Sequence, residues 1–310
     1  MIRRREFFGL AAVPAAAASL NIASVKSRGS KKVEIVYKSP HTKPNGLQAS
    51  KDGLWVLDQG NSNYVSLVNF ADGKLIREFQ PDINGASGVT VDDNNVMWCT
   101  STHNSLIVSC SPKDGKTIAK YWTPGAGRIY PMKGDPPAAR SPLPPAYGTG
   151  TQEQVGPLGS AGARAGGQGG AQGGGRGRGG RGGGPPGQLP MDATSGLGGT
   201  GAHGIEHRDG LLYFANPPAR HLYVMEPKSW VVQAWWPLPG NRPHGVGWEG
   251  DTLWVADSNL RALFRHDMKS GEIVEKIQLT EKDPLIHGVT VHDGYLWYCD
   301  DMGYICNFKL

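Results

Sequence analysis

Apolar residues along this chain come in short runs separated by polar turns, and five of those runs are built alike. They are Leu54-Trp55-Val56-Leu57, Val96-Met97-Trp98-Cys99, Leu212-Tyr213-Phe214-Ala215, Leu253-Trp254-Val255-Ala256 and Leu296-Trp297-Tyr298-Cys299. Short runs rich in aromatic and branched residues, bounded by Gly, Asp and Asn, favour strands over helices. Ten or eleven positions before each aromatic stands a residue-Gly pair: Asn45-Gly46, Ser87-Gly88, His203-Gly204, His244-Gly245 and His287-Gly288. Successive pairs lie 42, 116, 41 and 43 residues apart, one period interrupted by a single insertion. A period of 40–45 residues made of short strands is the mark of a β-propeller with one four-stranded blade per repeat.

Each repeat reads as an inner strand opening on the Gly, a second strand carrying the aromatic, and a third (Tyr64–Phe70 in the first repeat). A turn such as Asp72-Gly73 leads to a fourth (Lys74–Gln80). The last repeat ends at Leu310 after three strands. Its missing strand is supplied by 33–38, so the two ends of the chain are expected to pair and close the ring. The expected fold is all-β, a propeller with five recognisable blades. A sixth blade would have to come from Arg128–Leu197, where no period-two apolar run is available to build it.

The expected organisation is a twin-arginine export signal over 1–23, the first two blades with the closing strand over 32–124, a Gly/Pro-rich disordered insertion over 125–199, and the last three blades over 200–310. Arg4-Arg5-Glu6-Phe7-Phe8 and the apolar run that follows resemble a twin-arginine signal, so a bacterial periplasmic or secreted monomer is expected, with no stable membrane span once the signal is cleaved. Residues 159–187 are nearly all Gly, Ala, Gln, Arg and Pro and read as disordered. The formal charge of +5 resides in the first eighteen residues and in the insertion, which leaves the repeats close to neutral. A nucleic-acid partner is therefore not expected; Arg176-Gly177-Arg178 belongs to a linker.

Candidate chemistry is concentrated in the residue-Gly column. Equivalent positions of different blades converge on one axis, so His203, His244 and His287, from three consecutive repeats, are expected at the mouth of the central channel. Converging neutral imidazoles suit a divalent ion, Zn²⁺, Mn²⁺ or Fe²⁺ rather than Mg²⁺, and His244 and His287 are candidates for a general base. Asn45 and Ser87 fill the same column in the first two blades and would complete a polar rim. Glu206, Trp248 and His292 are weaker candidates for the channel wall. Asp58, Asp257 and Asp300, three residues after the aromatics, read as turn caps. Arg128–Lys133 is placed to cover the mouth. Tight turns at Asn104-Ser105 and Met302-Gly303 would set Cys99 opposite Cys110 and Cys299 opposite Cys306, as a strained disulfide pair or as small buried residues.

Arg242-Pro243-His244-Gly245-Val246, followed by Leu253-Trp254-Val255-Ala256-Asp257 and by Gly271, resembles a blade of the streptogramin B lyase (virginiamycin B lyase) family. It is also similar to the wider NHL-type propellers, which include an amidating lyase whose metal is held by histidines. The resemblance extends over about 200 residues. It implies a metal-bound propeller face, with His244 and His287 at the positions of the family's histidines and a carbon-oxygen lyase or hydrolase activity on a small ester or lactone. The family places acidic groups beside those histidines, whereas this chain has Arg242-Pro243 and Leu285-Ile286. Non-enzymatic ligand- or protein-binding relatives share the same repeat. A calcium-binding lactonase propeller would need carboxylates at the strand starts, where Glu is nearly absent.

Overall fold

The computed structural model describes residues 22–60, 62–129, 188–193 and 200–310. Strand β1 (Glu34–Lys38) precedes the first blade, which holds β2 (Pro44–Ser50), β3 (Gly53–Asp58), β4 (Val65–Val68) and β5 (Leu75–Phe79). Blade two holds β6 (Ala86–Val91), β7 (Met97–Ser101), β8 (Leu106–Cys110), β9 (Thr117–Trp122) and a two-residue β10 (Gln188–Leu189). Blade three is β11 (Ile205–Arg208), β12 (Leu211–Asn216), β13 (His221–Glu226) and β14 (Val231–Pro237). Blade four is β15 (Pro243–Glu249), β16 (Thr252–Asp257), β17 (Ala262–Asp267) and β18 (Ile273–Gln278). Blade five is β19 (Val289–His292), β20 (Tyr295–Cys299) and β21 (Tyr304–Lys309), completed by β1.

All five sheets are antiparallel meanders, and the described residues form five blades, not six. The closing strand pairs as the sequence requires, with Ile35 opposite Cys306 and Lys38 opposite Tyr304. One continuous antiparallel sheet thus joins the two ends and leaves no gap in the ring. Between blades the large side chains of the second strands fill the core. Trp98 stacks toward Tyr121 and Trp230, and Trp254 is fully buried with its indole N–H donating to Glu249 at 2.9 Å.

The repeated Gly has a steric cause. A Cβ on Gly46 would lie 2.3 Å from the carbonyl oxygen of Ser87, and one on Gly88 would lie 2.2 Å from that of His203. On Gly204 it would lie 2.1 Å from the His244 carbonyl, on Gly245 2.3 Å from the Val289 nitrogen, and on Gly288 2.6 Å from the Asn45 carbonyl. Each glycine therefore abuts the backbone of the next blade, and the fifth returns to the first. The backbones around the axis stand too close for any side chain at this level, and five blades make a narrow ring.

Seven residues before strand β1 the chain already belongs to the fold. Ser27 forms a parallel bridge to Lys276 on the outer edge of blade four, and the Arg28 guanidinium grips both Glu249 carboxylate oxygens at 2.8 and 2.9 Å. Arg265 shares Glu249 at 3.0 Å. Covering an outer edge in this way removes unpaired backbone groups. Replacing Arg28 with Ala is expected to cost about 2 kcal/mol, the usual loss for hydrogen bonds to a charged group, measured as a lower urea midpoint.

Two expectations need correction. Thr102–Asn104 forms a 3-10 turn and Ser105 adopts the left-handed conformation (φ 61°), so the loop holds four residues instead of two. Cys99 consequently faces Val108 and Cys110 faces Met97, while in blade five Cys299 faces Ile305 and Cys306 faces Tyr298. All four thiols are free and buried; the hydrogen bond with Cys110, and then burial, push the Cys99 thiol well up. The insertion also differs from a uniformly irregular 125–199. Gln188 and Leu189 add a fifth strand to blade two, opposite Tyr121 and Lys120. Gly127 and Thr200 exchange both backbone hydrogen bonds, at 3.0 and 2.7 Å, and staple the base of the insertion just ahead of His203. The Gly-rich tract, the export signal up to residue 21 and Tyr130–Lys133 of the expected cover lie outside the described residues. No helix among the described residues is long and apolar enough to cross a membrane.

Candidate functional site: a histidine cluster at the mouth of the ring

The three histidines are held on β-bulges. In blade three the His203 N–H donates to the Ala215 carbonyl at 2.9 Å, while the Ala215 N–H donates to the Gly204 carbonyl at 3.0 Å. Two residues therefore oppose one. Blade five repeats this with His287, Gly288 and Cys299, and blade four skips register between Pro243 and Val246. A bulge re-aims the side chain that it carries. Here it breaks the inward-outward alternation of the inner strand, so the column residue and the one three positions later contact neighbouring blades.

The result is a contiguous cluster. The His203 and His244 rings have centroids 4.7 Å apart, and those of His244 and His287 lie 4.5 Å apart, nearly perpendicular. Exposures are 7 %, 2 % and 6 %, so the three imidazoles share one buried site. On the other side of the ring Ser87 and Asn45 meet at 3.4 Å and continue the polar rim.

Burial sets the charge state. Desolvation lowers His203 to about 3 and His287 to about 4, and it holds His244 well below the ordinary value. The Arg242 guanidinium depresses all three, His287 depresses His203 and His244, His203 depresses His244, and Asp301 raises His287 alone. All three rings are neutral at pH 7.

One tautomer follows from hydrogen-bond accounting. The Ser258 hydroxyl donates its single hydrogen to the Ile286 carbonyl at 2.5 Å. Its contact with His244 Nδ1, also 2.5 Å, must therefore be a bond that it accepts. His244 carries its hydrogen on Nδ1 and presents a lone pair on Nε2. Among the described residues neither nitrogen of His203 has a partner, nor has Nδ1 of His287, although all three atoms are buried. A buried polar atom without a protein partner calls for a water, an ion or a ligand atom to satisfy it.

Below the histidines the inner strands contribute Gln48, Thr90, Glu206, Gly247 and Thr290. Gln48 donates to Thr90 at 2.6 Å and the Thr90 hydroxyl reaches Glu206 at 3.4 Å. Burial raises the Glu206 carboxyl to about 8, so it is largely protonated at neutral pH. Trp248 and His292 do not line this channel. Each packs sideways on a neighbouring blade, Trp248 edge-on to Tyr213 and His292 stacked on Phe70 at 4.0 Å. Asp58, Asp257 and Asp300 are turn caps, as expected. Asp58 accepts from Lys43 and Gly60, Asp257 from Arg242 and Leu260, and Asp300 from Met302 and Tyr304.

Ser258, Arg242 and Asp301 belong to the site and do not stand out in the sequence column. Ser258 directly follows the capping Asp257. Thr102, in the matching place of blade two, likewise donates to a carbonyl of the next blade, that of Ala202. That shared position is the signal from which Ser258 is legible.

The donors fit a metal by their chemistry: neutral nitrogens, one tautomer fixed by a hydroxyl behind the ring, and orphaned atoms facing no protein partner. Among the described residues, however, no group of three or more His, Cys, Asp or Glu side chains is drawn together as an ion would require.

Fold and site together define a five-bladed β-propeller with a buried histidine cluster at one mouth. No family model and no curated protein matches the chain. Among solved structures it is similar in fold to the glutaminyl cyclase of Myxococcus xanthus, with a TM-score of 0.54 at 10 % identity over 90 % of this chain and 97 % of that one. The virginiamycin B lyase of Staphylococcus aureus aligns with a TM-score of 0.44 at 17 % identity over 91 % and 100 %. A streptogramin B lyase aligns with a TM-score of 0.45 at 18 % identity over 90 % and 98 %.

Proposed function

We propose that this protein is an exported propeller that acts as a metal-assisted lyase or hydrolase on a small ester or lactone bound over the histidine cluster. The observation that carries this reading is the set of unpartnered buried nitrogens on His203 and His287 beside the free Nε2 of His244. These three side chains would hold a divalent ion, with Zn²⁺, Mn²⁺ or Fe²⁺ favoured over Mg²⁺ by the all-nitrogen donor set. A bound ion supplies Lewis-acid polarisation of a substrate carbonyl. Export by the twin-arginine route rests on the N-terminal sequence pattern and belongs to the same proposal.

His287 is the base in this scheme when His203 and His244 hold the ion, because the one lone pair of a neutral imidazole cannot both ligate and accept a proton. It alone has a carboxylate, Asp301, raising its proton affinity, and being neutral at pH 7 it is ready to accept a proton from substrate or water. His244 is fixed by Ser258 and acts as a positioned lone-pair donor. Burial keeps the cluster dry, which strengthens each polar contact made there.

Purified protein is expected to carry about one equivalent of transition metal, removable by chelator, and His203→Ala or His287→Ala should lower that stoichiometry. Turnover of an ester or lactone substrate should fall about a hundredfold or more in His287→Ala. Protein free of stoichiometric metal, with activity indifferent to His287, would overturn the reading. The strongly depressed basicity of all three histidines, together with the absence of a gathered donor set among the described residues, favours a second reading: a non-catalytic propeller that binds a small ligand or a protein at the same mouth. Tight ligand binding with no turnover in metal-loaded protein would select it.

A further inference from the structure

We propose that the ligand of this site carries a carboxylate, and that Arg242 is the residue that receives it. This rests on the assignment of the histidine mouth as the working site and adds the chemical class of what binds there.

The position of Arg242 is fixed by its backbone. Its N–H donates to the Asp257 carboxylate at 3.0 Å and its carbonyl accepts from the Ser258 N–H at 3.1 Å. Pro243 follows, at the start of β15, and holds the preceding residue extended. Ser258 also anchors the His244 ring, so the guanidinium and the imidazole are set by one frame.

The charge of Arg242 is uncompensated. Elsewhere in the molecule Arg28 and Arg265 both bind Glu249, at 2.8 and 3.0 Å. Arg242 is half-buried and, among the described residues, makes neither an ion pair nor a side-chain hydrogen bond. Arg242 stands two residues before His244, and its carbonyl and the His244 ring are both bound by Ser258, so the residue is built into the frame of the cluster. Of the other charged or titratable groups facing the cluster, Asp301 acts on His287 only and His103 on His203 only. Arg242 thus brings an unpaired cation to a site that also holds unpartnered imidazole nitrogens on His203 and His287.

A planar guanidinium presents paired donors that match the two oxygens of a carboxylate, and burial strengthens such a bond. A metal ion alone would be repelled by the same charge. An anionic ligand removes that repulsion, so ion and carboxylate should bind cooperatively.

The test uses the full-length protein and two probes, monomethyl succinate and dimethyl succinate, which share an ester and differ in one carboxylate. Calorimetric or NMR titration of chelator-treated protein should give at least about tenfold tighter binding of the monomethyl ester. Arg242→Gln should remove the preference and Arg242→Lys should retain part of it. Imidazole ¹⁵N signals of the unsubstituted protein supply a second readout, independent of any folding defect in the variants: they should shift with the monomethyl ester and not with the dimethyl ester. Equal binding of both probes to the unsubstituted protein, or a preference that survives in Arg242→Gln, overturns the proposal. Carboxylate preference in a protein that never takes up Zn²⁺ would overturn the metal reading and leave this one standing.

Discussion

Gly204→Ala is expected to prevent the ring from closing. The added methyl carbon would lie 2.1 Å from the His244 carbonyl oxygen and 2.9 Å from two backbone atoms of Gly245. Ordinary contact requires a shift of more than about 1 Å, and the atoms that must move are main chain. A flexible side chain can swing aside, whereas a strand of a closed ring moves only by displacing its neighbours. The Gly88→Ala methyl would meet the His203 carbonyl in the same way at 2.2 Å. A loss of about 4 kcal/mol or more is expected for either substitution, the range reached only when a core is overpacked without room to relax. Gly294→Ala is the control. Its φ of 78° disfavours a side chain, but a methyl group there meets nothing within 4 Å, so only the left-handed backbone cost of about 1–2 kcal/mol applies. Urea midpoints of the three variants decide the matter. A Gly204→Ala protein within 1 kcal/mol of the parent would mean that the blades are not packed backbone to backbone around the axis.

That ring explains both why the fold was legible in the sequence and where legibility stopped. The Gly column repeats because every blade meets the same steric limit, so it appears in the chain as a period. The ends complement one another because an open ring would expose two strand edges, and the pairing of β1 with β21 satisfies that demand. The histidine column was equally visible, since a residue preceding an obligatory axial Gly must lie near the axis. Contacts between blades are another matter. Asp301 joins the site from a second-to-third-strand loop and Arg242 from the connection leading into an inner strand, placements that depend on how neighbouring blades meet; Ser258 alone has a repeat counterpart, Thr102. The cysteine register was missed for a local reason: Ser105 takes a left-handed conformation without being Gly or Asn, and this lengthens the loop. Trp248 and His292 were misplaced because the bulge resets the alternation, and counting along an ideal strand then assigns the wrong face.

The second large effect is on acid stability, in protein stripped of metal. His203 is lowered to about 3, His287 and His266 to about 4, and His244 well below its ordinary value. Unfolded histidines titrate near 6.5. Above that pH neither state binds the protons and the stability is fully present; as pH falls toward the folded values only the unfolded state takes them up, and stability is lost. Near pH 5 each such histidine contributes about 1.4 kcal/mol per pH unit, so four contribute about 5 kcal/mol per unit. Glu206 works in the opposite sense. Its folded carboxyl titrates at about 8, above its unfolded value, so between those two values lowering the pH favours the folded state by one proton. The net slope between pH 6.5 and 4.5 is therefore about 4 kcal/mol per unit, enough to exhaust the usual 5–15 kcal/mol of a domain within a few units. Above about pH 7 the four unfolded histidines together take up less than the one proton that folded Glu206 holds, so stability declines gently from a maximum at about pH 7. Urea unfolding at half-unit pH steps measures both limbs. Glu206→Gln should flatten the alkaline limb and steepen the acid one by about 1.4 kcal/mol per unit, because the group that opposed the histidines is gone. His266→Gln, remote from the cluster, should take the same amount off the acid limb. A stability that stays level from pH 6.5 to 4.5 would show that the cluster is hydrated and able to hold charge, and the dry histidine mouth on which the proposed chemistry depends would have to be abandoned.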